Sequence, residues 1–587
     1  MKTTVVVYAN SDDALLLWSA DQLDDDVEGF SVQRKLQRGS TAEKTSWIDN
    51  YAPPGVKAYQ DGRHVPSDER PFRAFTWTDH EVRAGDKVRY RVVPFLAGTT
   101  APATHLASTW SKRVTGGAPG SAKNRAFFNR GFVISQFISR YLDEHYPNID
   151  RIAALRKFKE QISTKLDDQI RVFLSGEVRT ALLALLKRVV NSSDEIYAAL
   201  FELGDDELIS QLRPIGKRAH IVLANGSIEI KKDTKTNKAL ETSAQARKRD
   251  ENSTARKALR KAGVDVQTTN RFVSPGALAH NKFLVVTGKN GKAKSVWTGS
   301  TNWTTTGLCT QLNNALLVDD TAVAAAYLAQ WHTLRDAGSS HPKTLPKSNE
   351  TPTDLGGDKP KTIRSSVHFT RAPDKVDLKD LGEIVRSAKE GVLFLMFIPG
   401  ASGVLADVLA LAKAKPKLLV RGVVSQLPKG REDEKSGDTT TLRVTIVGAP
   451  SPNLDGTQTF DVVQPQGRRH TAAWWAAETT RAQFLSGIGH AIIHSKVLIV
   501  DPFSDDPTVV TGSHNFSISA SKNNDENFIV IRGDRPLAEA YTVNAESAWR
   551  HYAYRAGNPH PNLFGIDYLK ALLADQRHEE PFWHLSP

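Results

Sequence analysis

An internal duplication constrains this chain more than any other feature of its sequence. The first copy reads His280-Asn-Lys282-Phe-Leu-Val-Val-Thr287, followed by Gly299-Ser300-Thr-Asn302-Trp303. The second reads His494-Ser-Lys496-Val-Leu-Ile-Val-Asp501, followed by Gly512-Ser513-His-Asn515-Phe516. Each copy sets a His and a Lys at alternate positions at the start of an apolar strand, so both side chains point to one face of a sheet. The Gly-Ser-x-Asn turn comes 19 residues after His280 and 18 after His494, the distance of a hairpin-like return. A lone His-x-Lys on a strand edge is usually a solvated face. Two copies in one order, each with the same downstream turn, point to catalysis.

These residue types suit phosphoryl chemistry. One imidazole can attack phosphorus while a second protonates the leaving oxygen. Lys282 and Lys496 supply fixed positive charge, and Ser300, Ser513, Asn302 and Asn515 supply neutral donors for the non-bridging oxygens. No metal or other cofactor is required by such a set, and the sequence carries no HExxH pattern.

The paired motifs resemble the HxKxxxxD signatures of the phospholipase D superfamily. The resemblance covers roughly residues 122–587 and is sharpest at 278–318 and 491–531. It implies an α/β fold of two similar halves, mixed sheets flanked by helices, related by a pseudo-twofold axis. It also implies metal-independent phosphodiester hydrolysis through a covalent phosphohistidine, with His280 as nucleophile and His494 as general acid.

The copies differ in their acids. Thr287 stands where the second copy has Asp501, and Asn313 stands fourteen residues after its motif glycine where the second copy has Glu526. Carboxylates beside a catalytic His orient it and stabilise its charged form. Asp501 is then either structural, so that Thr287 costs little, or part of an asymmetric site with one His more basic. Drift to a slower enzyme is the third reading. Asp319 and Asp320 could supply a charge to the first copy, but capping the end of a strand is the simpler role.

The length of 587 residues predicts two or more domains. Residues 1–115 read as short strands (Thr3–Tyr8, Ala14–Trp18, Gly29–Arg34, Lys87–Phe95) between Asp, Gly and Pro clusters. Trp18 and the Val88–Val92 run with Tyr90 resemble a small fibronectin type III-like β-sandwich, with another small sandwich as the alternative. Thr115–Ser121 reads as a linker, 122–338 as the first half, 339–362 as a second linker and 363–587 as the second half. Phe128, Phe132, Phe137 and Tyr141 outline a helix. Arg151–Leu166 and Arg171–Val190 predict two more, and His220–Leu223 a buried strand. Lys231–Asp250 reads as an exposed loop. Val392–Ile398, Val404–Ala412 and Lys417–Val424 read as strand, helix and strand.

The net charge of +12 suits an anionic partner: a phosphodiester, a nucleic acid or an anionic membrane touched peripherally. The single cysteine, Cys309, excludes an intrachain disulfide and reads as a buried small residue. No secretory signal is evident, and the longest apolar runs, such as Gly391–Pro399, are too short to span a bilayer. A cytoplasmic location is expected, or export by a signal-independent route. Phospholipid headgroup cleavage is the favoured activity, motivated by the motif pair and by Trp474 and Trp475, whose commoner role is core packing. A nuclease acting on DNA or RNA is the alternative, motivated by the basic balance, by Arg247–Arg260, and by Arg468, Arg469 and His470 as a basic rim. A non-catalytic protein docking a partner through the N-terminal sandwich is the third reading.

Overall fold

The N-terminal alternation of apolar and polar residues folds into β1 (Thr3–Ala9), β2 (Ala14–Ala20), β3 (Val27–Gln37), β4 (Lys44–Trp47), β5 (Asp49–Tyr51), β6 (His64–Pro66), β7 (Thr76–Asp79), β8 (Lys87–Leu96) and β9 (Val114–Thr115). The computed structural model describes residues 1–51, 64–117, 121–131, 141–142, 144–233, 236, 238–271, 276–340, 342, 344–357, 359–400, 403–425, 443–446, 460–464, 492–556 and 566–585. A three-stranded sheet, β1-β2-β7, and a four-stranded sheet, β4-β3-β8-β9, are both antiparallel. Trp18 and Tyr90 are fully buried in one core with Phe30, Phe72 and Phe75.

Next come β10 (Asn124–Phe128), β11 (Glu195–Leu200), β12 (Ala219–Leu223), β13 (Asp265–Val266), β14 (Lys282–Thr287), β15 (Ala293–Gly299), β16 (Gln311–Leu312) and β17 (Asn314–Val318). Seven of these form one mixed sheet in the order β10-β17-β15-β14-β11-β12-β13. The chain continues with β18 (Thr353–Leu355), β19 (Arg364–Phe369), β20 (Gly391–Met396), β21 (Leu419–Val424), β22 (Arg443–Ile446), β23 (Phe460–Gln464), β24 (Ile492–Ile493), β25 (Val497–Val500), β26 (Thr508–Gly512) and β27 (Asn527–Arg532). The second mixed sheet runs β18-β19-β27-β26-β25-β20-β21-β23-β22. Without its edge strands β18 and β22, it repeats the first sheet in order and in strand direction.

Alternate residues of the motif strands serve two cores, which is why these strands read as unbroken apolar runs. The helices concerned are α1 (Gln169–Val190), α2 (Thr321–Ala337), α3 (Val376–Arg386), α4 (Arg535–Ala556) and α5 (Ile566–Trp583). Phe283 and Val285 of β14 share one central core with Val497 and Ile499 of β25, and α2 and α4 pack into it. Leu284 and Val286 face an outer core with α1, and Leu498 and Val500 face another with α3. Each such Val, Leu or Ile contributes roughly 1.5–3 kcal/mol when fully buried.

The N-terminal sheets are built into this body. Leu15 and Leu17 of β2 join the central core, while Leu569 and Leu573 of α5 complete the N-terminal one. The Tyr8 hydroxyl donates to the Trp583 carbonyl at 2.6 Å, and Arg130 pairs with Asp12 at 3.1 Å. Part of the surface expected to meet a partner is therefore covered by the chain's own C-terminal helix.

Some local expectations change. Phe128 ends strand β10, paired with Asn314, so the helix expected from it cannot start there; residues 132–140 lie outside the described ones. The 339–362 segment is more than a spacer, since Leu345 is buried in the central core and β18 pairs with β19. Asp320 caps the start of α2 through the Ala322 and Val323 amides, and Asp319 binds Arg125. Burial pushes the Cys309 thiol up to about 12. No described helix is long and apolar enough to cross a membrane.

Candidate active site

The two motifs meet because each half holds the other's histidine. The His280 amide donates to the Asp525 carbonyl at 2.8 Å, and the His494 amide to the Leu312 carbonyl at 2.9 Å. Asp525 and Leu312 each lie thirteen residues after a motif glycine, Gly512 and Gly299. The β16–β24 pair and the Ala279–Asp525 bridge are thus the same exchange made in both directions. It leaves the imidazole centroids 6.4 Å apart, with both residues 3% exposed.

Both rings are fixed through Nδ1. His280 Nδ1 lies 3.1 Å from the Ser513 carbonyl and 3.3 Å from Glu526 Oε1. His494 Nδ1 lies 2.9 Å from Asn313 Oδ1, whose amide nitrogen donates to the Gly307 carbonyl. Oxygen acceptors at Nδ1 place the proton there and leave a lone pair on Nε2. Glu526 and Asn313 occupy equivalent positions, but each serves the histidine of the opposite half. The acid that looked like a property of the second motif is a partner of the first.

The charges follow from this geometry. Burial raises a carboxyl, yet His280 beside it, with His514 and Asn524, holds Glu526 down to about 2. Burial and then Lys282 push His280 down to about 4, against the opposing pull of Glu526. His494, without a carboxylate partner, falls well below its usual value through burial, Lys496, Lys282 and His280. Burial takes Lys282 down to about 7, and burial and then Lys282 take Lys496 well below its usual value. Each ammonium donates to the carbonyl of its own motif histidine. Each also lies over an aromatic ring, Lys282 at 4.8 Å from Phe201 and Lys496 at 5.0 Å from Phe397. The same rings contact His280 and His494 edge-on, at 4.8 and 4.9 Å.

The remaining expected residues divide. Asn302 donates to Glu202 at 2.7 Å, and the Asn515 amide donates to Glu526 at 2.9 Å; the side-chain oxygens of both asparagines are buried without a partner. Ser300 and Ser513 belong to the turns, but their fully buried hydroxyls are engaged elsewhere. Ser300 donates to Asn313 at 2.8 Å and accepts from the Asn314 amide, and Ser513 accepts from the Asn527 amide. Asp501 lies at the far end of β25 from Lys496, roughly 16 Å along an extended strand. Its carboxylate accepts the amides of Lys389, Glu390 and Gly391 at 2.8–3.1 Å. Thr287 holds the equivalent register position, opposite Glu195 as Asp501 is opposite Gly391. Trp303 and Phe516 are both buried behind the turns. Trp474, Trp475, Arg468, Arg469 and His470 lie outside the described residues.

Sequence reasoning missed three features. Glu202, directly after Phe201, accepts from Asn302 and feels the charges of both motif lysines. Arg271 and Asp525 form a buried pair across the halves at 2.8 Å, on the segment whose carbonyl accepts the His280 amide. Asn527 accepts from Thr298 and Tyr327 of the first half, while Asn314 accepts from Thr511 and Tyr541 of the second. A repeat alignment would have exposed the asparagine pair, which follows both motif glycines by fifteen residues. Among the described residues, no group of three or more His, Cys, Asp or Glu side chains could hold a metal ion.

The family described as "Cardiolipin synthase, PLD-like domain" matches residues 185–334 and 386–549, more than half of the chain and one stretch around each motif. A protein named "Phospholipase D" from Rickettsia prowazekii (strain Madrid E) is 51% identical over 53 residues, covering 9% of this chain and 23% of that protein. Another of that name from Rickettsia felis is 45% identical over 69 residues, covering 11% and 32%. The chain therefore spans about a quarter to a third of the length of these curated relatives. Among solved structures, phosphatidylserine synthase from Haemophilus influenzae Rd KW20 is 10% identical with a TM-score of 0.40, covering 69% of this chain and 91% of that one.

Proposed function

The chain belongs to the PLD-like domain family, and from that premise we propose that it is a metal-independent phosphodiester hydrolase with one active site shared by its halves. The observation that carries this reading is the pair of buried imidazoles, one from each half, both fixed through Nδ1. The repeated strand order supports a pseudo-twofold relation between the halves. The antiparallel three- and four-stranded sheets around Trp18 and Tyr90 support a fibronectin type III-like N-terminal domain.

The mechanism has two steps. His280 Nε2 bonds to phosphorus as the ester P–O bond breaks, and the leaving oxygen takes a proton from His494 Nε2. Water then gives a proton to His494 Nε2 while its oxygen bonds to phosphorus. The P–N bond breaks and its electron pair returns to His280. Attack puts positive charge on the His280 ring, and Glu526 at its Nδ1 stabilises that charge. This is why His280, rather than His494, is assigned the attack. His494 takes up its proton with the substrate, because the anionic phosphate opposes the burial and the lysine charges that otherwise hold the ring neutral. Lys282, Lys496, Asn302 and Asn515 hold the non-bridging oxygens.

We take a phospholipid headgroup ester as the substrate, supported by the name of the Rickettsia relatives. Peripheral contact with an anionic membrane fits the net charge of +12. The test is a panel of phospholipid vesicles, DNA, RNA and bis(p-nitrophenyl) phosphate in EDTA, run with wild type, His280→Ala and His494→Ala. Headgroup release by the wild type alone supports the proposal. Cleavage of nucleic acid without headgroup release replaces the lipid substrate, and no histidine-dependent cleavage of any ester overturns the hydrolase reading.

A further inference from the structure

One carboxylate in the cleft has no counterpart in the other half. Leu200 pairs with Lys282, and Met396 occupies the matching place beside Lys496, one step beyond the Leu395–Val497 pair. Phe201 therefore corresponds to Phe397, and Glu202 to Ile398. Glu202 Oε2 accepts from the Asn302 amide at 2.7 Å, and the carboxylate interacts with the charges of both Lys282 and Lys496. Among the described residues, neither lysine forms an ion pair with it; their ammoniums donate to the His280 and His494 carbonyls instead. The cleft thus holds opposite charges that do not neutralise each other by contact. An acid in that place weakens the binding of any anion, and the loss grows with the anion's charge.

A phosphodiester carries one negative charge. The monoester left by its hydrolysis approaches two above a second pKa near 6. Two ammoniums balance a monoanion in the presence of Glu202. The second charge of a dianion meets the carboxylate with no further cation in the motif pair to offset it. Building on the hydrolase reading above, we propose that Glu202 sets the charge specificity of the site, admitting monoanionic phosphodiesters and expelling dianionic monoesters and orthophosphate. Burial, opposed by Lys282, reinforced by Glu251 and opposed again by Lys496, holds Glu202 up to about 7. It therefore carries charge from about neutrality upward, where monoesters are already dianions.

The full chain is titrated calorimetrically at pH 7.0, where Lys282 still carries charge, with dimethyl phosphate and with orthophosphate, alongside bis(p-nitrophenyl) phosphate hydrolysis. In Glu202→Gln, orthophosphate binding tightens roughly ten- to a hundredfold while dimethyl phosphate gains clearly less. Glu202→Asp keeps the discrimination of the wild type. Ile398→Glu, which places a second acid opposite the first, weakens orthophosphate further and provides the test if Glu202→Gln does not fold. Equal shifts for both ligands, or none, overturn the role of Glu202, and diester hydrolysis by the wild type leaves the hydrolase reading standing. A wild type that neither binds dimethyl phosphate nor cleaves the diester takes down both.

Discussion

Fourteen residues after its motif glycine, the second half carries Glu526 and the first carries Asn313, and each side chain reaches the Nδ1 of the other half's histidine. The strands behind them repeat in order and direction, and Phe201 and Phe397 repeat the packing against His and Lys. What differs is the charge delivered across the interface. His280 receives a carboxylate and His494 a neutral amide, so a duplicated scaffold gives two imidazoles in unlike electrostatic surroundings. Under the proposed mechanism, the asymmetry between nucleophile and acid arises from one exchanged side chain rather than from a different fold.

The sharpest way to break this comparison is to remove each imidazole. His280→Ala and His494→Ala each lower kcat by roughly 10⁴-fold on a diester with a poor leaving group. On a p-nitrophenyl ester, whose leaving group needs no proton, His494→Ala keeps much of the rate of the first p-nitrophenolate release in single-turnover assays and His280→Ala does not. Equal recovery by both variants removes the division of labour.

Next in size is the clamp between the halves. Arg271→Ala leaves Asp525 buried without its closest cation and costs about 3–5 kcal/mol in denaturant unfolding. A loss below 1 kcal/mol shows that the pair does not hold the Asp525 segment beside His280.

Glu526→Gln lowers kcat/KM by roughly a hundredfold, whereas Asn313→Ala lowers it by roughly tenfold. The pH profile of kcat/KM sharpens the same point. On a p-nitrophenyl diester, which needs no proton from His494, activity rises with pH through about 4, because His280 must be neutral to attack. Lys282 must be charged and sits at about 7, so activity falls above it. Removing the Glu526 charge makes His280 less basic, and the acid limb moves to lower pH. A limb that stays in place separates Glu526 from His280.

The smallest effects concern the acid at the strand end. Asp501→Ala costs about 1–3 kcal/mol of stability, because three backbone amides lose their acceptor, yet kcat stays within roughly threefold. Thr287→Asp brings no gain in kcat. A large loss of kcat in a stably folded Asp501→Ala returns that acid to the chemistry.

The motif strands were legible because burial on both faces leaves an apolar run that no polar residue interrupts. The turns were legible because Gly-Ser-x-Asn recurs. Partner choice was not, since His280 and Glu526 are 246 positions apart in sequence and only the crossing of segments at Asp525 and Leu312 brings them together. Ser300 and Ser513 have the right chemistry for phosphate, but their hydroxyls turn to the following strand, which residue type alone does not reveal. Glu202 carried no motif; its meaning comes from lying beside Asn302 and two lysines contributed by three distant segments. Phe128 shows the opposite error, where a four-residue spacing suggested a helix and pairing with β17 made a strand.

The central claim is that the histidine backed by Glu526 is the nucleophile. The direct measurement is acid-sparing quench of the His494→Ala variant during turnover of a ³²P-labelled p-nitrophenyl diester, followed by peptide mapping of the phosphoryl group. Label is expected on His280 and absent in His280→Ala. Label on His494 in the wild type, with His280 unmodified, contradicts it.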